Sequence, residues 1–470
     1  MRPLSRALLA LPLALCAVAA PARGGDLGER LGTALAHPGC RGATVGVLVV
    51  RAADGSELFA RNADRPLVPA SNMKVLTALA ALAALGPAHQ FTTTVSADAP
   101  IDAAGGVDTL AMRGGGDPAL TSEELWRLAA DLRRLGLRRV RGDILLDDGY
   151  FDTQRWHPGW GDGSARAYHA PVAALTANYG SFIVEVAPAA TADPPRVSID
   201  PPVPYLRLVD QVRAGSPAAI AVERSSADGG ERVTVSGSVP RGGAPVQVPR
   251  SVSDPVRYAG AVLRLQLAAL GIAVDGGDRV GPTPAGFTTL LTFKGRPLAQ
   301  IVALLMKWSN NNIAEILLKD LGAHASGAPG SWANGVAAAQ AQLTALGVDQ
   351  GGLVMLDGSG LSAANRVTPR TLVSALRAAR ESFTVAPDFA AALPLAGRDG
   401  TLRKRAHAAT DRARAKTGLL NGASTLSGYA RLRDGSDVVF AILNNGADAG
   451  DAAAIAANDA FLEALVASTP

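Results

Sequence analysis

Residues 69–85 read PASNMKVLTALAALAAL and place Ser71 and Lys74 three residues apart at the start of a strongly apolar run. A serine in front of such a run can be a helix N-cap, because its oxygen accepts an N–H of the first turn. Residues three apart also share a helix face, so Lys74 can reach the Ser71 hydroxyl and act as its base when apolar neighbours lower its proton affinity. This stretch alone leaves both roles open.

Two further polar motifs follow later in the chain. WSNNN places Ser309 and Asn311 two residues apart, and AKTGLL places Lys416, Thr417 and Gly418 at the start of a predicted strand. Each motif alone is typical of a loop or turn, and a Ser-x-x-Lys spacing arises by chance about once or twice in a chain of this length. Three motifs in this order are much more specific. The combination favours an active site.

The composition is that of a globular protein of two to four domains. The chain has 470 residues, of which 48% are hydrophobic and 4% aromatic, and its formal net charge is +4. The basic residues are scattered, and no aromatic residues interleave with them to stack on bases. We therefore expect no nucleic-acid partner.

The N-terminus has the pattern of a signal peptide, residues 1–22. A short basic region precedes an apolar stretch that is too short to span a bilayer, and small residues allow cleavage after Ala19 or Ala22. Cys16 lies inside this segment, so the mature chain keeps only Cys40 and forms no internal disulfide. We expect an exported, periplasmic protein with no transmembrane segment in the mature chain.

Local patterns predict several elements between the motifs. Asp54–Gly55 separates two strand-like runs and predicts a hairpin. Thr121 and Glu124 have the spacing of a capping box at the start of an amphipathic helix. A capped helix is predicted over residues 253–272, and a single further helix runs on from Pro297.

The three motifs, in this order, resemble those of the penicillin-recognising serine enzymes. The gap of 309 − 71 = 238 residues between the first two motifs is more narrowly similar to that of the D-alanyl-D-alanine carboxypeptidase/endopeptidases of the penicillin-binding protein 4 type, which carry inserted domains there. Four further stretches support the resemblance: GDPAL from Gly116, GDILLDDGYF from Gly142, DGSGLS from Asp357 and LPLAGRDGTLRKR from Leu393.

The resemblance implies an α+β multidomain fold. Its catalytic domain is an antiparallel sheet flanked by helices, as in the serine β-lactamases and DD-peptidases, formed from residues 26–90 and 287–470. Residues 91–286 would form inserted α/β and all-β domains, with a small all-β module at about 187–248.

The chemistry of acyl transfer gives each motif residue a role. Ser71 is the expected nucleophile and Lys74 its base, while Ser309, held by Lys416, passes a proton to the leaving group. Asn311 is expected to hold the substrate amide.

The third motif is expected to bind substrate. Lys416 and Thr417 would bind the terminal carboxylate of the substrate, and Gly418 would let the strand backbone approach it closely. The resemblance assigns the oxyanion hole to the backbone N–H groups of Ser71 and Leu419.

Two positions bear on specificity. By the resemblance, Asp147 or Asp148 supplies an acidic group to the amine end of a diaminopimelate side chain, while the alternative is a strand-end aspartate that closes a turn. Ala363 stands where the family commonly has an arginine that contacts a carboxylate of the stem peptide.

These observations predict a serine DD-peptidase, a hydrolase that acts on peptidoglycan peptides and is inhibited by β-lactam antibiotics. The six histidines have no metal-ligand spacing, so we expect no metal and no cofactor. Two alternatives remain: a serine β-lactamase or esterase on the same fold, and a non-catalytic wall-binding scaffold. The balance of carboxypeptidase and endopeptidase activity does not follow from the sequence.

Overall fold

The computed structural model of the protein describes residues 26–161, 163–190, 193–327 and 329–470. The predicted signal peptide, residues 1–22, lies outside the described residues. The helices are α1 Leu27–Ala34, α2 Met73–Leu85, α3 Ser122–Arg134, α4 Pro255–Ala269, α5 Leu298–Trp308, α6 Asn311–Ser326, α7 Trp332–Ala345, α8 Pro369–Glu381, α9 Ala386–Ala392 and α10 Gly450–Val466. The strands are β1 Thr44–Arg51, β2 Glu57–Arg61, β3 Gln90–Ala97, β4 Gly106–Val107, β5 Leu110–Gly114, β6 Arg139–Val140, β7 Ile144–Asp147, β8 Ser181–Ala187, β9 Arg196–Asp200, β10 Leu206–Ala214, β11 Ala219–Ala227, β12 Gly230–Val239, β13 Val246–Ser251, β14 Ala273–Val274, β15 Asp278–Val280, β16 Thr288–Pro297, β17 Ala413–Leu420, β18 Ala423–Arg431 and β19 Asp437–Asn445.

A five-stranded antiparallel sheet joins the two ends of the chain. Its strand order is β17-β18-β19-β1-β2. On β19, Val439, Ala441 and Leu443 belong to the core that includes α2, α5 and α8, whereas Phe440 and Ile442 belong to the core with α1 and α10. Side chains alternate between the faces of a strand, so β19 is apolar throughout because both faces are covered. This confirms the predicted α+β architecture.

Helix α2 positions Ser71 and is itself buried on every side. Its residues from Met73 to Leu82 are all buried, as expected for a helix that is apolar all round. Ser71 lies two residues before α2, in a 3₁₀ turn over Ala70–Asn72, and α2 begins at Met73. The structure therefore excludes a helix-cap role for Ser71.

The segment 91–286 contributes most of a separate hydrophobic core. A second five-stranded sheet has the order β15-β7-β5-β3-β16, and α3 and α4 pack against each other within the same core. Strands β8 to β13 form two three-stranded sheets, β13-β8-β9 and β10-β12-β11. Because β16 pairs with β3, residues 288–297 join the sheet of the insert. The division into domains stays a prediction.

Two of the local predictions are confirmed, and two are wrong. The hairpin at Asp54–Gly55 and the Asp254 cap of α4 are confirmed. The capping box fails, because the Thr121 side chain accepts no N–H of α3 and Glu124 pairs instead with arginines. The single helix predicted from Pro297 is broken at Ser309 into α5 and α6.

The described ranges contain no helix that is both long and apolar enough to cross a membrane. They also contain no group of three or more His, Cys, Asp or Glu side chains placed to hold a metal ion.

Candidate active site

Ser71 lies on a tight turn that its neighbours fix. Ala70 has a φ of +46°, a left-handed value that non-glycine residues rarely adopt and that surrounding contacts must enforce. Asn72 is fully buried, donates from Nδ2 to Thr425 Oγ1 at 2.6 Å, and accepts a hydrogen bond from Ser427 Oγ. The turn is therefore anchored to strand β18, and Ser71 stays partly exposed at the start of α2.

Lys74 lies on the first turn of α2 and is completely buried. Its Nζ donates to Ser71 Oγ at 3.0 Å, to Asn311 Oδ1 at 2.7 Å and to the backbone oxygen of Ser359 at 2.7 Å. Removal from water lowers the pKa of Lys74 to about 7, and two nearby carboxylates partly oppose this shift. A large share of Lys74 is therefore neutral at neutral pH and able to accept a proton from the Ser71 hydroxyl.

The two carboxylates are Glu315 on α6 and Asp357 in the DGSGLS loop. Glu315 accepts two backbone N–H groups of that loop, the nearer being that of Ser359 at 2.7 Å. Burial raises the pKa of Glu315 to about 7, and the charge of Asp357 acts in the same direction. Sequence reasoning missed both roles, although Glu315 lies four residues after Asn311 and so on the same face of α6.

Ser309 forms a second serine–lysine pair with Lys416. Ser309 adopts left-handed angles, φ 56° and ψ 37°, which end α5 before α6 begins. Lys416 is fully buried on β17 and donates from Nζ to Ser309 Oγ at 2.8 Å and to the backbone oxygen of Thr417 at 2.6 Å. Burial lowers the pKa of Lys416 well below its usual range, and the nearby charge of Lys74 adds to this. The two serine–lysine pairs therefore lie close enough for the charge of one lysine to affect the other.

Asn311 connects the Ser71–Lys74 pair to the inserted segment, residues 91–286. Its Oδ1 accepts from Lys74, and its Nδ2 donates to the backbone oxygen of Tyr168 at 3.0 Å. Both ends of the amide are thus engaged, which fixes its orientation.

Strand β17 is an edge strand of the central sheet, and only its first half is covered on the outer side. Ala396 N–H donates to the Ala413 oxygen, and Ala415 N–H donates to the Pro394 oxygen, both at 2.9 Å. No strand of the described chain lies beside the second half, where the Leu419 side chain is 51% exposed. An extended peptide can add to such an edge through main-chain hydrogen bonds.

Position 418 requires a glycine for the packing of β17 itself, apart from any approach of substrate to the strand. A Cβ at this position would lie 2.1 Å from Thr425 Oγ1 and 3.0 Å from the Pro69 oxygen. Glycine therefore lets β17 pack against the turn that carries Ser71. Thr417, next to it, donates from Oγ1 to Thr401 Oγ1 at 2.7 Å.

Asp147 and Asp148 lie apart from these pairs and have structural partners. Asp147 accepts the backbone N–H of Gly149 at 3.0 Å and that of Thr283 at 2.7 Å. Asp148 pairs with Arg155 and accepts a backbone N–H at 2.8 Å, and burial raises its pKa. These contacts fit the turn-closing alternative, and a contact of either residue with substrate stays a prediction.

This arrangement is suited to acyl transfer. A serine hydroxyl touches a partly neutral lysine, a second hydroxyl is held by another buried lysine, and an open strand edge lies beside them. The sequence profile of the D-Ala-D-Ala carboxypeptidase 3 (S13) family matches residues 27–465. The chain belongs to this family. It is a serine-type D-Ala-D-Ala carboxypeptidase, a hydrolase.

Known relatives support this assignment, and each of them matches this chain over most of its length. A D-alanyl-D-alanine carboxypeptidase of Actinomadura sp. (strain R39) is 38% identical over 451 residues, 91% of this chain and 82% of that protein. The crystal structure of penicillin binding protein 4 from Haemophilus influenzae superposes with a TM-score of 0.78 at 27% identity, covering 92% of this chain and 97% of that one. A complex of the same H. influenzae protein with a novel β-lactam gives a TM-score of 0.73 at 27% identity, covering 92% and 98%.

Proposed function

We propose that this DD-peptidase cleaves D-alanyl bonds of peptidoglycan stem peptides and cross-links through an acyl-enzyme on Ser71. The observation that carries the proposal is the 3.0 Å contact between Lys74 Nζ and Ser71 Oγ, in a site where burial lowers the pKa of Lys74 to about 7. The family supplies the substrate class, and this contact supplies the means of activating the nucleophile.

In the acylation step, Lys74 takes the proton of Ser71 while Oγ attacks the carbonyl carbon. Following the family resemblance, the oxyanion is bound by the backbone N–H groups of Ser71 and Leu419. The C–N bond then breaks, its electron pair stays on nitrogen, and that nitrogen takes a proton from Ser309. Lys416 holds Ser309 in place by its hydrogen bond, and the proton that Lys74 took from Ser71 passes on to Ser309, so Lys74 is neutral again once the acyl-enzyme has formed.

In the deacylation step, water attacks the ester carbon and gives its proton to Lys74. The ester C–O bond breaks, Ser71 regains its proton, and the shortened peptide leaves as a carboxylic acid. Lys74 thus serves as the base in both steps.

The substrate lies antiparallel to the open half of β17 in this proposal. Lys416 and Thr417 bind the terminal carboxylate, while Asn311 holds the amide before the cleaved bond. Penicillins carry a strained amide and a carboxylate in a similar arrangement, so we propose that they acylate Ser71. The H. influenzae relative that was solved with a β-lactam supports this part.

We also propose that residues 1–22 direct export and that the enzyme works in the periplasm. A basic start, a short apolar stretch and small residues up to Ala22 support this proposal. N-terminal sequencing of the protein from a periplasmic extract should begin after Ala19 or Ala22. A chain that begins at Met1 in a cytoplasmic fraction would contradict it.

Turnover distinguishes a peptidase from a β-lactamase on the same fold. Among the described residues of the site, Lys74 and Ser309 are the groups that could activate water, and the ring of a cleaved penicillin stays in the site, so its deacylation should be slow. We expect many turnovers of D-alanine release from a pentapeptide, while a penicillin traps the enzyme stoichiometrically for minutes. Sustained hydrolysis of a chromogenic cephalosporin without D-alanine release would reverse the assignment. The Ser71→Ala variant is the control for both assays.

A further inference from the structure

A loop of the inserted segment, residues 151–160, packs against the DGSGLS loop, residues 357–362. A Cβ added at Gly159 would lie 2.8 Å from Ser362 Oγ, so the two loops are in direct contact. Trp160, the last residue of the first loop, is partly buried, and its Nε1 donates to Asp357 Oδ2 at 2.9 Å. The inserted segment thus supplies a hydrogen bond to one of the two carboxylates near the general base.

Asp357 organises the loop that holds Lys74. Its Oδ1 accepts the Gly360 N–H at 2.8 Å, and its Oδ2 accepts the Ser362 N–H at 2.7 Å. The same loop presents the backbone oxygen of Ser359 to Lys74 Nζ at 2.7 Å. The negative charge of Asp357 also favours the protonated form of Lys74 and so raises its pKa against the effect of burial. The orientation and the charge of Asp357 therefore both bear on the lysine.

The second carboxylate, Glu315, has an indole partner of its own. Trp332 on α7 donates from Nε1 to Glu315 Oε2 at 2.8 Å. The rings of Trp160 and Trp332 pack edge to face with their centroids 5.6 Å apart, a geometry that aromatic pairs prefer. Two packed indoles, one from the inserted segment and one from α7, therefore each donate to one of the carboxylates.

A buried lysine fixes the start of the same loop. Lys319 on α6 donates from Nζ to Asp152 Oδ1 at 2.6 Å and to the backbone oxygen of Gln154 at 2.7 Å. Its Nζ also lies 3.9 Å from the centre of the Trp332 ring. The loop is thus held at its start as well as at Trp160, and the fold itself sets the position of the Trp160 indole.

Two charged groups besides Asp357 face Lys74. Glu315 faces it from α6, and burial raises the pKa of Glu315 to about 7. Lys416 faces it from β17, and burial holds the pKa of Lys416 well below its usual range. Neither group contacts Trp160, so a change at Trp160 leaves both in place.

Two histidines lie close to the Trp160–Asp357 hydrogen bond. His169 stacks on the Trp160 ring with the centroids 6.5 Å apart, and the His157 ring lies 6.2 Å from it. Burial lowers the pKa of both imidazoles, so they are neutral above about pH 6.5. A pH effect above this value in a Trp160 variant therefore does not arise from these rings.

We propose that Trp160 is a positioning residue for the acylation step, which acts through Asp357 on the general base Lys74. The inference rests on the proposed function, in which Lys74 takes the proton of Ser71. When the indole N–H is removed, more of the Asp357 charge is left uncompensated, and Lys74 keeps its proton more tightly. The inserted segment thereby contributes to activation of the nucleophile even when the acylating compound carries no stem peptide.

The test is the pH profile of acylation in the Trp160→Phe variant, which keeps an aromatic ring but loses the N–H. The second-order rate of acylation by benzylpenicillin is measured in the mature protein from pH 6.5 to pH 9. We expect the midpoint of the profile to rise by about half a pH unit, so that the rate is about threefold lower at pH 6.5 and equal to that of wild type at pH 9.

Trp156→Phe is the matched control. Trp156 lies on the same loop and donates from Nε1 to the backbone oxygen of His169 at 3.2 Å, so the variant loses an indole hydrogen bond that does not reach Asp357. Its pH profile should be that of wild type. If Trp160→Phe lowers the Tm strongly, benzothienylalanine at position 160 serves in its place, because it keeps the shape of the indole and lacks the N–H.

A midpoint that stays in place, that falls, or that moves equally in Trp156→Phe would overturn the inference. So would an equal loss of rate at every pH, which is the mark of a merely structural role. In these cases Lys74 remains the base and the proposed function holds. A wild-type protein that benzylpenicillin does not acylate at any pH would overturn the proposed function together with this inference.

Discussion

Lys74 Nζ donates a hydrogen bond to Asn311 Oδ1 at 2.7 Å, although 237 residues separate the two in the chain. The first and second motifs therefore meet in one site in spite of the long insert between them. The same nitrogen contacts Ser71 Oγ, so any change in the protonation of Lys74 reaches the nucleophile directly.

The first prediction concerns the pH dependence of acylation. Burial lowers the pKa of Lys74 to about 7, and only the neutral amine can take the Ser71 proton. The second-order rate of acylation by a fluorescent penicillin should rise about tenfold per pH unit below pH 7 and level off above it. A rate that stays flat from pH 5 to 9, or that falls above pH 7, would rule out Lys74 as the base.

Replacement of Lys74 tests the same role at a single pH. Lys74→Met should slow acylation by roughly 10²–10⁴-fold, the usual contribution of a general base. Lys294→Met is the matched control, because Lys294 is exposed on β16, in the sheet of the insert. Equal rates in the two variants would contradict the assignment.

The second prediction concerns Gly418. A methyl group there would lie 2.1 Å from Thr425 Oγ1 on β18 and 3.0 Å from the Pro69 oxygen, so Gly418→Ala should push β17 away from β18 and from the turn that carries Ser71. Overpacking of this kind costs about 1–3 kcal/mol, and we expect at least tenfold slower acylation together with a lower Tm. Gly28→Ala, where no atom lies within 4 Å, is the control. Wild-type rates in Gly418→Ala would show that the strand adapts freely.

The third prediction concerns stability against pH. Burial raises the pKa of Asp320 to about 8, while a hydrogen bond from Tyr150 opposes the shift. A carboxyl group with a raised folded-state pKa contributes stability that is fully present below about pH 4 and is lost as the pH rises towards 8. Wild type should therefore lose up to roughly 1.4 kcal/mol per pH unit relative to Asp320→Asn over this window.

Thermal melts at pH 5 and pH 8 measure this effect. The difference in Tm between wild type and Asp320→Asn should shift in favour of the variant at pH 8. Asp228→Asn, at an exposed position, should follow wild type. The same Tm difference at both pH values would mean that Asp320 does not change its protonation in this range.

Much of the site is predictable from sequence because the motif residues are polar side chains in otherwise apolar surroundings. The partners of Lys74 are harder to predict, since Glu315 and Asp357 act through burial that only the tertiary structure creates. The break at Ser309 was missed for a related reason: no glycine or proline marks it, and the apolar pattern continues from α5 into α6. The left-handed conformation of Ser309 is held by contacts such as the hydrogen bond from Lys416, which lies 107 residues away in the chain.

The fourth prediction concerns specificity at Ala363, which is exposed in the loop after DGSGLS. An arginine that contacts a carboxylate contributes about 1.5–3 kcal/mol, roughly 10–100-fold in affinity, and alanine contributes none. Ala363→Arg should raise kcat/KM for diaminopimelate peptides relative to lysine analogues. An unchanged preference would show that another residue binds this carboxylate or that the position is remote from it.

The most direct test of the account is the site of the covalent adduct with penicillin. Purified mature protein is incubated with a labelled penicillin, and the modified residue is located by mass spectrometry. We predict a single adduct on Ser71 that is absent from the Ser71→Ala variant. An adduct on another residue, or one that persists in Ser71→Ala, would contradict the assignment of Ser71 as the nucleophile.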